Sequence, residues 1–189
     1  MRSIGLRAFI ALELPSDEIL GRLVALQRDL AQLGGDVKLV EKQNLHFTVR
    51  FLGEITDEQA AEARTRLGSL TLNGGEVTVM GVGAFPTVTR PSVVWVGVAL
   101  EDRALITQIA EVTIAALEGI GEKDERGFQP HLTLARVRSG RNREAISSFI
   151  RQNADRSFGR VRLNEIKLKS SVLTPKGPIY SDVGVYILK

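Results

Sequence analysis

Two stretches of this chain carry the same alternating pattern, and between them they hold both of its histidines: His46-Phe47-Thr48-Val49 and His131-Leu132-Thr133-Leu134. In an extended strand successive side chains point to opposite faces. His46 and Thr48 therefore share one face, while Phe47 and Val49 share the other. Flanking residues extend the division, with Asn44 and Arg50 on the polar side and Leu45 and Phe51 on the apolar side. The second stretch repeats it, setting His131 and Thr133 against Leu132 and Leu134. Any fold that accepts both must place two apolar strand faces in a core.

The rest of the sequence supplies the elements for one. Strands are expected at 7–14, 37–40, 45–52, 76–82, 92–100, 130–137, 158–173 and 179–188, with a loop from Phe85-Pro86 to Arg90-Pro91. Ser16 is a helix N-cap ahead of Ile19, Leu23, Leu26 and Leu30 at helical spacing, and Gly34-Gly35 closes that helix. Further helices are expected over 56–70, 102–120 and 143–153. Crossovers mixed with hairpin-like turns favour an α+β fold with antiparallel sheet. The recurrence of a His-x-Thr strand ahead of a helix points to two similar lobes facing each other. No low-complexity linker divides the chain, so residues 1–189 read as a single two-lobed domain.

Two such strands across a cleft would bring two imidazoles and two hydroxyls to one small space. Opening a phosphodiester requires a base that takes a proton from water and an acid that protonates the leaving oxygen. Histidine serves either role, because its ordinary pKa of about 6.5 makes both forms accessible near neutrality. Threonine hydroxyls can donate hydrogen bonds to non-bridging phosphate oxygens as charge builds there. A single His-x-Thr is an ordinary half-exposed strand; two copies that take in every histidine are not. The chain has no cysteine, and two histidines without a carboxylate cluster leave metal coordination incomplete, so no metal is expected. Gly81, Gly83 and Gly97 form no phosphate-cradling loop ahead of a helix, so no nucleotide-binding fingerprint is present.

Charge is uneven. The formal net charge is +3, yet residues 126–169 hold eleven lysines and arginines against three acids (Glu144, Asp155 and Glu165), leaving the remainder net acidic. Such a basic region suits a polyanion, with a solvated arginine-rich surface as the plain alternative. The opening residues, Met1 to Pro15, read as a strand rather than a signal peptide, and no segment approaches the roughly 20 apolar residues of a membrane helix. A soluble, cytoplasmic monomer is the expectation.

These residues resemble a known family. The stretches Arg7-Ala8-Phe9-Ile10-Ala11-Leu12-Glu13-Leu14-Pro15, Asn44 through Gly53, Pro91-Ser92-Val93-Val94-Trp95-Val96-Gly97, Phe128 through Arg136 and Ser171 through Tyr180 are together similar, in order and over nearly the whole chain, to the RNA 2′,3′-cyclic phosphodiesterases of the two-histidine phosphoesterase superfamily, also called the 2′-5′ RNA ligase family. The resemblance implies a bilobal α+β fold, two pseudo-symmetric lobes of antiparallel sheet with outer helices around a central cleft. It implies hydrolysis of a terminal RNA 2′,3′-cyclic phosphate to a 2′-phosphate, on ends such as those derived from tRNA, without metal or cofactor. His131 would then activate water and His46 protonate the departing 3′ oxygen, with Thr48 and Thr133 on the phosphate. The reverse reaction, 2′-5′ joining of RNA ends, would exchange the two roles.

Arg136 belongs to the matched motif as a substrate-binding candidate, although strict alternation turns its position away from His131 unless the strand bends. Arg50 falls on His46's face as a solvated strand-end residue, Arg7 reads as a surface residue, and Trp95 as core packing. Glycines read as turns and strand irregularities, and Lys176 has no assigned role. Two other readings stay open: an RNA-binding module without catalysis, and a phosphodiesterase for a small cyclic nucleotide or ADP-ribose cyclic phosphate.

Overall fold

The computed structural model describes residues 5–123, 127–175 and 177–189; Lys176 and Arg126, at the start of the basic region, lie outside them. β1 (Leu6–Glu13) leads into α1 (Asp17–Gln32). Ser16 caps that helix as expected, its Oγ accepting the Ile19 N–H at 3.3 Å. Beyond it Gly34 takes φ 69°, a left-handed conformation in which an L side chain would be strained. β2 (Val37–Leu39) and β3 (His46–Ile55) follow, then α2 (Asp57–Gly68), which opens on a reciprocal Thr56–Gln59 capping box. β4 (Gly75–Thr87), β5 (Arg90–Val98), α3 (Arg103–Ala116), β6 (Leu132–Val137) and α4 (Arg143–Gln152) come next. β7 (Ser157–Leu163), β8 (Glu165–Thr174) and β9 (Gly177–Ile187) complete the chain.

Two expectations are corrected by the strand pairing. The loop from Phe85-Pro86 to Arg90-Pro91 is largely strand: β4 and β5 pair through Thr87↔Arg90, leaving Val88 and Thr89 as the turn. The single strand expected over 158–173 is two strands. It breaks at Asn164, whose carbonyl accepts the Leu188 N–H at 2.8 Å, and its halves join different parts of the sheet.

That sheet runs β7-β4-β5-β6-β3-β1-β8-β9, with β2 beside β6, and every pairing is antiparallel. It divides at its centre, where β3 and β6 pair only at Phe47↔Leu132 and then diverge. One lobe is β3-β1-β8-β9 and the other is β6-β5-β4-β7. In each, a strand (β1 or β5) leads through a helix to the histidine strand, and a second helix follows.

The helices tie the lobes together by crossing over. α1 leaves the first lobe and packs on β6 and β7 of the second; α3 leaves the second and packs on β3 of the first. Gln27 of α1 locks its crossing, its Nε2 donating to Val40 O at 2.7 Å and Leu134 O at 2.8 Å. Leu23, Leu26 and Leu30 of α1, Ile10 and Leu12 of β1, and Phe47 and Leu132 at the crossing point are fully buried in one core cluster. Hydrophobic burial of this kind contributes roughly 1.5–3 kcal/mol per large side chain. The helices cover one side of the sheet, and the opposite, curled face carries the histidines. Among the described residues no helix is long and apolar enough to cross a membrane.

Candidate active site

Pairing at Phe47↔Leu132 sets the register of the site. Because the strands are antiparallel, His46 lies across from Thr133 and Thr48 across from the position of His131. The remote sequence motifs thus meet at the centre of the sheet, with both apolar middles, Phe47 and Leu132, driven into the core beneath them.

Both rings are held the same way. His46 Nδ1 lies 2.8 Å from Asn44 O, and His131 Nδ1 lies 2.8 Å from Gln129 O. A carbonyl oxygen only accepts, so Nδ1 carries the proton in each ring and Nε2 is left for chemistry. In His46 that Nε2 lies 3.0 Å from Thr48 Oγ1, so in neutral His46 the threonine hydroxyl donates to the ring. Aromatic side chains brace the rings. Phe9 stacks on His46 at 5.1 Å and Tyr180 meets it edge-on at 5.7 Å, while Phe85 stands edge-on to His131 at 4.9 Å.

The His46 imidazole is pushed down to about 4. Burial is the main cause, the Asn44 carbonyl opposes it, and the positive charges of Lys169 and His131 add to the depression while Glu13 resists it. The two histidines are therefore within electrostatic reach of each other. Beside His46 lies a cluster that single-strand patterns do not reveal. Lys169 bonds Glu13 and Asp182, and Lys167 bonds Glu13 at 2.7 Å and Asp182 at 3.0 Å. Burial acts to raise Glu13 and Asp182, but the lysine hydrogen bonds prevail and hold both carboxyls below their usual range. Alternation of Lys167 and Lys169 with Ile166 and Leu168 was a visible signal; the acids come from β1 and β9 and were not.

Both histidine strands break alternation at the same place. On β3, Ile10 pairs with Arg50 and Ala11 with Thr48, so Val49 is an extra residue. On β6, Val94 pairs with Ala135 and Trp95 with Thr133, so Leu134 is extra. Each is a β-bulge, which puts two successive side chains on one face and inverts the parity beyond. Three expectations change as a result.

Arg50 is not a solvated strand-end residue. It turns into the core, is only 8% exposed, and closes the C-terminal end of α3. Its Nη1 donates to Ile114 O and Leu117 O, and its Nη2 to Ile120 O and Glu122 O, at 2.9–3.2 Å. Phe51 moves the other way: expected in the core, it is 50% exposed and sits on the histidine face, 6.1 Å from Phe9. Arg136, at the matching position on β6, likewise regains the face of His131 and Thr133. Its charge, with those of Arg7 and Lys169, acts to lower the Tyr180 phenol, which burial raises.

Trp95 is a further correction. It pairs with Thr133, lies on the histidine face only partly buried, and stands 5.3 Å from Phe85 and 6.5 Å from His131. Gly83 makes room for it: a Cβ there would fall 2.2 Å from Trp95 Cζ2, so this glycine is a seat for the indole rather than a turn. Among the described residues no group of three His, Asp or Glu side chains is arranged to hold a metal.

The chain is similar to known proteins over nearly its whole length. The family model for the AKAP7 2′5′ RNA ligase-like domain matches residues 8–184. A protein of Archaeoglobus fulgidus named RNA 2′,3′-cyclic phosphodiesterase is 36% identical over 181 residues, 96% of this chain and 99% of the relative. One of the same name from Aeropyrum pernix is 39% identical over 165 residues, 86% of this chain and 92% of the relative. Among solved structures, Escherichia coli LigT complexed with 3′-AMP superposes with a TM-score of 0.76 at 24% identity, covering 98% of this chain and 99% of LigT. A Thermus thermophilus protein gives 0.76 at 27% identity, covering 97% of this chain and 98% of its own.

Proposed function

The chain belongs to the 2′5′ RNA ligase-like family, and from that premise we propose that it hydrolyses a terminal RNA 2′,3′-cyclic phosphate to a 2′-phosphate, with His46 and His131 as its acid–base pair. The observation that carries this reading is the shared setting of the rings: each Nδ1–H is tied to the carbonyl two residues upstream, which leaves both Nε2 atoms on one face where the strands cross. All 189 residues would act as one two-lobed domain, since helices from each lobe cover the other.

In the forward reaction His131 Nε2 takes a proton from water, and the water oxygen bonds to phosphorus. The bond from phosphorus to the 3′ oxygen breaks, and His46 Nε2–H protonates that oxygen. The phosphate remains on the 2′ oxygen. Each positioned proton transfer is worth about 10²–10⁴ in rate. Before substrate arrives, His46 is neutral at pH 7 and so in the wrong form for an acid. The anionic cyclic phosphate supplies the negative charge that recharges it. Protonated Nε2 no longer accepts from Thr48, which frees that hydroxyl to join Thr133 on the non-bridging oxygens, with the Arg136 guanidinium as counter-charge. Neither metal nor cofactor enters the scheme. With the 5′-hydroxyl of a second RNA in place of water, the same step joins RNA ends through a 2′-5′ linkage. His131 takes the hydroxyl proton, the bond from phosphorus to the 3′ oxygen breaks and His46 protonates that oxygen, so the histidines keep these roles rather than exchanging them.

The test is incubation with a short RNA ending in a 2′,3′-cyclic phosphate, in EDTA, with the product end identified. A 2′-phosphate supports the assignment. An intact cyclic end, or a 3′-phosphate, contradicts it.

A further inference from the structure

We propose that Lys38 and Arg138, continuing from Arg136 at the reacting phosphate, form a phosphate track for the RNA body upstream of the reacting end, so that this site takes oligonucleotides in preference to a mononucleotide cyclic phosphate. The inference rests on the proposed activity and specifies its substrate class.

The track follows from register. Lys38 of β2 pairs directly with Arg136 of β6, and directly opposed residues of an antiparallel pair share a face, about 5 Å apart. The Leu134 bulge puts that face on the side of His131 and Thr133. Pairing continues past the end of β6, where the Arg138 N–H donates to Asp36 O at 2.8 Å. Arg138 therefore stands two residues, about 7 Å, beyond Arg136 on the same side. All three side chains are exposed, and among the described residues none is in an ion pair.

Their neighbours differ. On the first lobe the lysines nearest the site, Lys167 and Lys169, are neutralised by Glu13 and Asp182. Arg22, Arg66 and Arg160 are likewise paired with Glu18, Glu62 and Glu76. Among the described residues, the cations without an ion pair near the histidines are Arg7 on β1, directly across from Glu54, and the set along β6 and β2, where Asp36 stands across from Arg138. Only the second forms a row leading away from the site. The second lobe also takes β6, α4 and β7 from the arginine-rich stretch 126–169. A row of exposed, unpaired cations leading away from a phosphate site recognises a chain of phosphates; a mononucleotide ends before reaching it. Such a row acts through charge and counterion release and carries no base preference.

The experiment compares the protein with a Lys38→Glu/Arg138→Glu double variant on two substrates, cytidine 2′,3′-cyclic phosphate and a ten-nucleotide RNA with the same terminus. Binding of a non-hydrolysable ten-nucleotide RNA bearing a 2′-phosphate is followed in parallel by fluorescence anisotropy. The ratio of kcat/KM for the oligonucleotide over the mononucleotide is expected to fall about tenfold or more, chiefly through KM, and the RNA affinity to fall likewise. The salt dependence of that affinity should flatten by roughly 0.7 in log–log slope for each phosphate that the variant leaves without a cation. Equal affinity and equal slope in the variant would overturn the track, as would a parallel loss on both substrates. Absence of turnover on both substrates in the unmodified protein would overturn the proposed activity instead, and the anisotropy arm would still decide the track.

Discussion

Val49 and Leu134 occupy equivalent places in the two histidine strands, and each is the extra residue of a β-bulge. One extra residue on each strand turns Arg50 inward and brings Phe51 and Arg136 out onto the histidine face. Core and site are thereby set by the same irregularity.

Arg136, placed on the site by its bulge, should matter to activity and little to stability. A charge-assisted hydrogen bond to phosphate is worth about 1.5–3 kcal/mol. Arg136→Ala is therefore expected to lower kcat/KM ten- to a hundredfold, with the melting temperature nearly unchanged because the side chain is exposed. A loss under twofold in steady-state kinetics would return Arg136 to the surface.

Arg50 should show the opposite profile. Removing it leaves four carbonyls at the end of α3 without their shared donor. Arg50→Ala is expected to cost about 3 kcal/mol, read as a lower urea midpoint with an unchanged slope. A midpoint equal to that of the unmodified protein would contradict a closing role for the guanidinium.

His46 makes two pH predictions. With two histidines in the chain, proton NMR should show two ring signals, assignable from single variants. The His46 signal should titrate near pH 4 in the free protein and move upward when inorganic phosphate is added. A value that stays near 4 with phosphate bound would make His46 the base and His131 the acid. The sign for stability follows from the same shift. The fold favours neutral His46, whose unfolded pKa is about 6.5. This contribution is complete above about pH 6.5 and fades as pH falls toward 4, by up to about 3 kcal/mol. His46→Gln should lose that part of the acid sensitivity in chemical denaturation across this range.

Gly83 offers an optical test. The chain has a single tryptophan, and any side chain at Gly83 collides with its ring. Gly83→Val should displace Trp95, shift its fluorescence emission, and lower turnover by disturbing the aromatic support around His131. An unchanged emission spectrum would mean that the indole does not need this seat.

Much of the fold was legible in the sequence, for physical reasons. Helix starts at Ser16 and Thr56 are local, since a side chain caps a backbone N–H three residues on, and they stand where the sequence puts them. The two His-x-Thr stretches are strands with Phe47 and Leu132 inward because alternation needs no distant partner. What escaped depends on such partners. A bulge is a mismatch between two strands, so nothing within Thr48-Val49-Arg50 announces that Ile10 and Ala11 will skip Val49. Arg50 is buried because the end of α3 needs donors, and Trp95 lies on the histidine face because Gly83, on a neighbouring strand, leaves space. The break at Asn164 was hidden for a similar reason: β7 and β8 are both strand-like, and only their different partners, β4 and β1, separate them.

At the centre of the proposed function, two imidazoles far apart in the chain act on one phosphorus. The most direct test is kcat/KM on a cyclic-phosphate-terminated RNA for His46→Ala, His131→Ala and the double variant, each checked for an intact fold by circular dichroism. Paired catalytic groups are strongly non-additive. Each single variant should lose at least about a hundredfold, and the double variant far less than the product of the two losses. Full activity in either single variant, or losses that simply multiply, would contradict that pairing.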